Sequence, residues 1–217
     1  MYNQSWLEKI NRKLSRYAIR NLMLYIVIGM GLVFIIDFAA SMQTEFSLSS
    51  LIMFDRDAIF QGQVWRILSF IFLPPSSSMF FIIISLYFYW LIGSALEQEW
   101  GSFRFNLFYF CGMLGTIIAG LITGYATNYY LNLSLFLAFA LLYPNYEFML
   151  FFFIPIKAKY LAFIDAIGLI ILLITDRWEG KIVLIISLIN IVLFFGKSFI
   201  SRIKNAYRRY KWKKSMK

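Results

Sequence analysis

Apolar runs long enough to cross a bilayer recur along this chain, and that recurrence limits its fold more than any single motif. A hydrocarbon core about 30 Å thick takes about 20 apolar residues per helix. The first run, 22–41, is interrupted only by Asp37 near one end. Others follow at 79–95, at 103–123, from Tyr129 to just before Pro144, at 160–175 and at 182–199. The 217 residues are 61% hydrophobic and 15% charged. Soluble proteins average ~45–50% apolar, so lipid must supply part of the solvent. The expected class is an all-α integral membrane protein, a bundle of six transmembrane helices with a long first loop at 42–78. The first run is long enough to span and reads as a membrane helix rather than a cleaved leader.

Charge placement orients this bundle. The formal net charge is +10, which by itself could suggest nucleic acid. The cations sit instead at the two ends of the chain: Lys9, Arg12, Lys13, Arg16 and Arg20 in segment 1–21, and eight Lys or Arg residues without an acid in segment 200–217. Cations flanking spans are retained on the cytoplasmic side. Both termini are therefore expected inside, flanking one membrane domain at 22–199, and an even number of spans agrees. Lys157 and Lys159 fall on the same side in this count. Tyr207, Tyr210 and Trp212, interleaved with the tail cations, suit anionic lipid headgroups. A cytosolic protein is a further expected partner of the tail; nucleic acid is not expected. Loop 176–181 reads as a tight hairpin outside, and the apolar stretch 148–156, broken by Pro155, lies along the inner interface or dips into the protein.

Side-chain inventory limits the chemistry. The chain has no histidine and one cysteine, Cys111. A Ser-His pair is impossible, as are a histidine zinc site and a thiolate cluster, so neither enzyme activity nor a cofactor is expected. Polar groups within spans are costly and are functional candidates: Asp37, Ser85, Asn132, Ser134, Asp165 and Asn190. Lys157, Lys159 or Tyr160 could partner Asp165. Thr116, Gly120 and Gly124 recur every four residues and predict a strip along which another helix packs closely. Trp65 and Arg66 read as an interfacial anchor. Arg66 is expected to pair with Asp55, Asp57 or backbone carbonyls of its own loop, because the six-span count puts Glu97 and Glu99 on the other side.

Three blocks in order carry a family resemblance. Gln63-Val64-Trp65-Arg66-Ile67-Leu68 resembles the Trp-Arg motif in the first loop of the rhomboid superfamily. Leu91 to Glu97, followed by Trp100-Gly101-Ser102-Phe103-Arg104-Phe105, resembles that family's turn from span two to span three. Pro144-Asn145 with 151–161 resembles its connection from span four to span five. The resemblance implies a six-helix bundle with a lateral opening and a first loop in the outer interface. It also implies that Trp65, Arg66, Glu97, Gly101 and Arg104 are retained as structural residues.

The departures from that family remove its chemistry. Active rhomboid proteases carry Gly-x-Ser-Gly in span four, yet counting back from Pro144 puts Tyr129 at the serine position. Their His-x-x-x-Asn pair in span two falls on Phe81 and Ser85, and a histidine in span six has no counterpart. The chain therefore resembles a rhomboid pseudoprotease, derlin-like in kind. The activity this implies is binding and handling transmembrane segments of other proteins while thinning the bilayer, as in membrane-protein quality control. The alternative is a lipid or small-solute conduit lined by Asp37, Asp165 and Asn190. Richness in Ile, Phe, Asn and Lys fits an AT-rich bacterial genome, so the expected location is a bacterial inner membrane.

Overall fold

A computed structural model describes residues 16, 18–41, 47–150, 154–186 and 188–194. The tail 200–217, most of segment 1–21 and the tip 151–153 of the apolar stretch lie outside the described residues. Helix α1 spans Leu22–Ser41. The expected first loop is itself folded: α2 (Leu48–Ile52), β1 (Phe54–Asp55), α3 (Arg56–Phe60), α4 (Arg66–Ser69) and a 3-10 turn (Phe70–Phe72) follow one another. Then come α5 (Met79–Trp100), α6 (Ser102–Thr123), β2 (Tyr125–Ala126) and α7 (Tyr129–Leu142). Strands β3 (Glu147–Leu150) and β4 (Ile154–Lys157) lead into α8 (Ala158–Thr175). Helix resumes at 178–186 and 188–194.

Residue chemistry explains the breaks. Pro74-Pro75 precedes α5, where missing amide protons forbid helix continuation. A single residue, Gly101, turns α5 into α6 at φ +79 and ψ 152, a conformation that side chains with a Cβ avoid. Gly124 closes α6 in the left-handed region, its N–H reaching the Gly120 carbonyl at 2.8 Å, a common helix stop. Pro144 follows the end of α7.

Among the described residues four helices, α1, α5, α6 and α8, are long and apolar enough to cross a membrane. At 14 residues, α7 is apolar but short. Helix α1 packs on α5, α5 on both α6 and α7, and α8 on α7 and β4. Of the four long helices α6 is the most enclosed, with Phe105, Phe108, Tyr109 and Ala119 fully buried. Ile28, Leu32, Ile35, Ile83 and Ile174 stay exposed, as expected where hydrocarbon rather than water surrounds the bundle.

Two-stranded pieces occur at both ends. Strand β1 pairs antiparallel with β2, Phe54 opposite Ala126 and Asp55 opposite Tyr125, which ties the folded loop to the α6–α7 connection. The apolar stretch after α7 forms a hairpin with Glu147 opposite Lys157 and Leu150 opposite Ile154. Its buried residue, Phe148, stacks within 4.8 Å of Phe88 on α5 and 5.6 Å of Phe139 on α7, centroid to centroid. Phe148 thus anchors the hairpin to the bundle, while Glu147, Met149 and Pro155 stay exposed.

The expected small-residue strip divides its work differently. Thr116 donates to the Gly112 carbonyl of its own helix at 2.9 Å. A Cβ at Gly120 would lie 2.6 Å from the Phe54 ring and 2.7 Å from the Ala126 Cβ, so this glycine admits the β1–β2 pair rather than a helix. Close helix approach falls at Gly112, against Leu131 and Asn190, and at Gly115, against Ile186. Gly120→Ala should therefore destabilise the protein by about 1–3 kcal/mol. Gly168→Ala, which meets open space, should be neutral or stabilise by up to about 1 kcal/mol. Thermal unfolding of both variants in one detergent checks the pair.

Candidate functional site

A five-residue helix cannot stand alone, because nucleation is unfavourable and its end groups lack partners. Helix α2 is held at both ends by other segments. At its start, Asp37 of α1 accepts the Leu48 and Ser49 N–H groups and the Ser49 hydroxyl. At its end, four successive carbonyls receive side chains from α4 and from Trp65 just before it. Arg66 Nη1 donates to Ser50 O at 2.8 Å and Met53 O at 2.9 Å. Trp65 Nε1 donates to Leu51 O at 3.1 Å, and Ser69 Oγ to Ile52 O at 2.9 Å.

Arg66 is 7% exposed, and its Nε donates to Gln63 Oε1 at 2.6 Å. Its bonds thus go to backbone carbonyls and an amide of the same loop. The two acids considered as partners have other duties. Asp55 caps α3 through the Asp57 and Ala58 N–H groups, and exposed Asp57 lies 3.5 Å from half-buried Arg56. Trp65 keeps its ring half exposed while its N–H is engaged, the disposition of an interfacial tryptophan.

At the opposite end of the bundle, Glu97 accepts the Asn21 N–H at 2.8 Å and the Ser102 hydroxyl at 2.6 Å. One carboxylate so sits at the N-termini of α1 and α6, where helix dipoles favour negative charge. Glu99 accepts the Tyr143 hydroxyl at 3.0 Å. Burial, then the hydrogen bond to Glu99 and its charge, raise the Tyr143 hydroxyl above its ordinary range, so it stays protonated and donating at neutral pH. Arg104 is exposed on the first turn of α6.

The intramembrane polar candidates separate into bonded and unbonded groups. Ser134 donates to Leu131 O at 2.7 Å, and Asn190 Nδ2 to Phe108 O at 3.2 Å. Ser85 is half-buried on α5. Asn132 is buried on α7, its amide beside the Tyr89 side chain. Asp165, half-buried on the side of α8 that carries Ala158, Ala162 and Leu169, has no hydrogen bond or ion pair among the described residues. Its expected partners are elsewhere: Lys157 lies 3.8 Å from Glu147, and Lys159 sits over the Tyr160 ring.

Two residues that the sequence reading left out matter here. Asn128 Nδ2 donates to Ile71 O and Leu73 O at 3.1 and 2.9 Å, bolting the start of α7 to the 3-10 turn. Tyr109 brings an unbonded hydroxyl into the core. Each was signalled only by a polar tip inside or beside an apolar run. No family model matches the sequence, and no curated protein matches it.

Removing Arg66 leaves the Ser50 and Met53 carbonyls without this donor. Arg66→Ala should cost at least about 1.5–3 kcal/mol, the range for hydrogen bonds from charged groups, and should speed proteolytic cutting within 48–72 at least about tenfold. Arg66→Lys should recover only part, since an ammonium lacks the planar fork that reaches two carbonyls and Gln63 together. Limited proteolysis in micelles reads both variants; equal cutting rates in wild type and Arg66→Ala would refute the clamp.

Proposed function

We propose that this chain is a non-proteolytic, rhomboid-like membrane protein, derlin-like in kind, that binds transmembrane segments of other proteins and thins the bilayer beside them. The observation that carries the reading is the state of α8. This helix is largely exposed, packs on α7 and β4, and turns an unpartnered carboxyl toward a half-covered face. Beside it Gly168 has open space where a Cβ would stand. An unpartnered carboxyl at membrane depth favours the arrival of a hydrogen-bond donor, and a small residue lets a second helix come close. A client helix supplies both. The missing histidine and Gly-x-Ser-Gly leave binding without cleavage as the activity.

Bilayer thinning follows from α7. Fourteen residues at 1.5 Å each make about 21 Å, against a hydrocarbon core of about 30 Å. Mismatch of that size thins the surrounding lipid and shortens the path of a client's polar residues. In this reading the basic termini hold anionic headgroups, the tail recruits a cytosolic protein, and the membrane is a bacterial inner membrane. The conduit alternative is weaker because its lining is already committed: Asp37 caps α2 and Asn190 bonds to Phe108.

A photo-crosslinking amino acid at Phe163 or Ile167, both exposed on α8, tests this in cells. Adducts with transmembrane segments of other proteins are expected, reduced severalfold by Asp165→Leu. Adducts with lipid alone would overturn the proposal. Purified protein should cleave none of the captured clients, and Ser134→Ala should change nothing.

A further inference from the structure

Leu161, Asp165, Gly168 and Leu172 of α8 recur at the alternating four- and three-residue spacing by which one helix meets another along a seam. All four are half-buried, and they form a stripe between two unlike surfaces. On one side Ala158 and Leu169 are buried, and the helix packs on α7 and β4. On the other side Ile164 and Ile171 are exposed. Gly168, three residues after Asp165, has open space where a Cβ would stand, so a second backbone can come close there. Among the described residues no hydrogen bond or ion pair reaches the Asp165 carboxyl. The nearest cations along the chain are engaged, Lys157 with Glu147 and Lys159 over the Tyr160 ring.

Charge selects the occupant of this stripe, a selectivity that rests on the client-binding proposal above. Acyl chains bring no hydrogen-bond donor to this depth. A second copy of this chain, placed by a two-fold axis along the membrane normal, sets Asp165 against Asp165, and like charges disfavour each other. A helix with Lys or Arg opposite Asp165 relieves two costs together, because charged side chains within a membrane pair with one another. Asp165 stands seven residues past Ala158, about 10 Å along the axis at 1.5 Å per residue. We propose that the stripe receives a client transmembrane helix bearing Lys or Arg about 10 Å from its cytoplasmic end. Such a helix, parted from its own complex, carries an unpaired cation, and Asp165 serves as the substitute counter-ion.

Single-span reporters made in cells together with the full chain test this. A photo-crosslinking residue at Ile164, exposed beside the stripe, records contact. A reporter with Lys at the matching depth should give at least about fivefold more adduct than one with Leu there. Moving the Lys to the same distance from the outer end should remove the excess. Asp165→Asn should lower the Lys reporter to the level of the Leu reporter, and Asp165→Lys should transfer the preference to a reporter carrying Asp. The Asn variant keeps the shape of the side chain, so it decides the matter even where the reversed charge prevents folding. Equal adducts from the Lys and Leu reporters, or an excess that survives Asp165→Asn, would overturn the charge preference while leaving client binding in place. Absence of adducts with either reporter, or adducts only between copies of this chain, would overturn both.

Discussion

The Arg66 guanidinium, bonded to Ser50 O, Met53 O and Gln63, is the contact on which the folded loop depends. Backbone groups near or within hydrocarbon cannot turn to water, and each one left unbonded is expensive. A five-residue helix makes few of its own bonds, so donors must come from outside. Arginine suits the place because its donors form a rigid plane and its charge is softly hydrated. With α2 seated on α4, the chain runs directly into β1. Phe54 then lies edge-on to Phe70 at 5.9 Å and against Gly120, and Asp55 caps α3. Loop and bundle become one body through these few contacts.

Helices could be read from the sequence because a bilayer imposes a length, and lipid-facing surface makes apolar runs continuous. Hence α1 matched its expected range, and α6 and α8 began within two residues of theirs. Helix α5 ran on to Trp100, past the point where apolar residues thin out, because Gly101 rather than polarity ends it. The hairpin at 147–157 was illegible for a related reason. Its composition is that of a buried helix, and only the seat for Phe148 among Phe88, Phe136 and Phe139 makes a strand pair preferable. Asp37 looked like a buried charge in a span, yet its meaning depends on α2, eleven residues away in sequence. The packing glycines were misplaced because a spacing of four does not say which face meets which neighbour.

Polar groups along the bundle fall into two populations, and the division follows position. Those at the ends, Asp37, Arg66, Glu97 and Asn128, each satisfy the backbone of a different element and so lock elements together. Those at depth are bonded within one helix, as Ser134 and Thr116 are, or to a neighbouring helix, as Asn190 is to Phe108 O.

The short α7 joins these themes. Being about 21 Å long at 1.5 Å per residue, it brings both ends of the bundle closer together than its neighbours do. At one end Asn128 ties it to the clamped loop; at the other the hairpin follows it and packs Phe148 against Phe139. Ala158 and Lys159 close that hairpin by donating to Tyr146 O and Pro144 O, so α8 starts directly beneath it. Helix α8 then leans on α7 and β4 and leaves Asp165 half-covered. The short central helix thus stands beside two linked features: a strand pair packed on it through Phe148, and a neighbouring helix that is largely exposed.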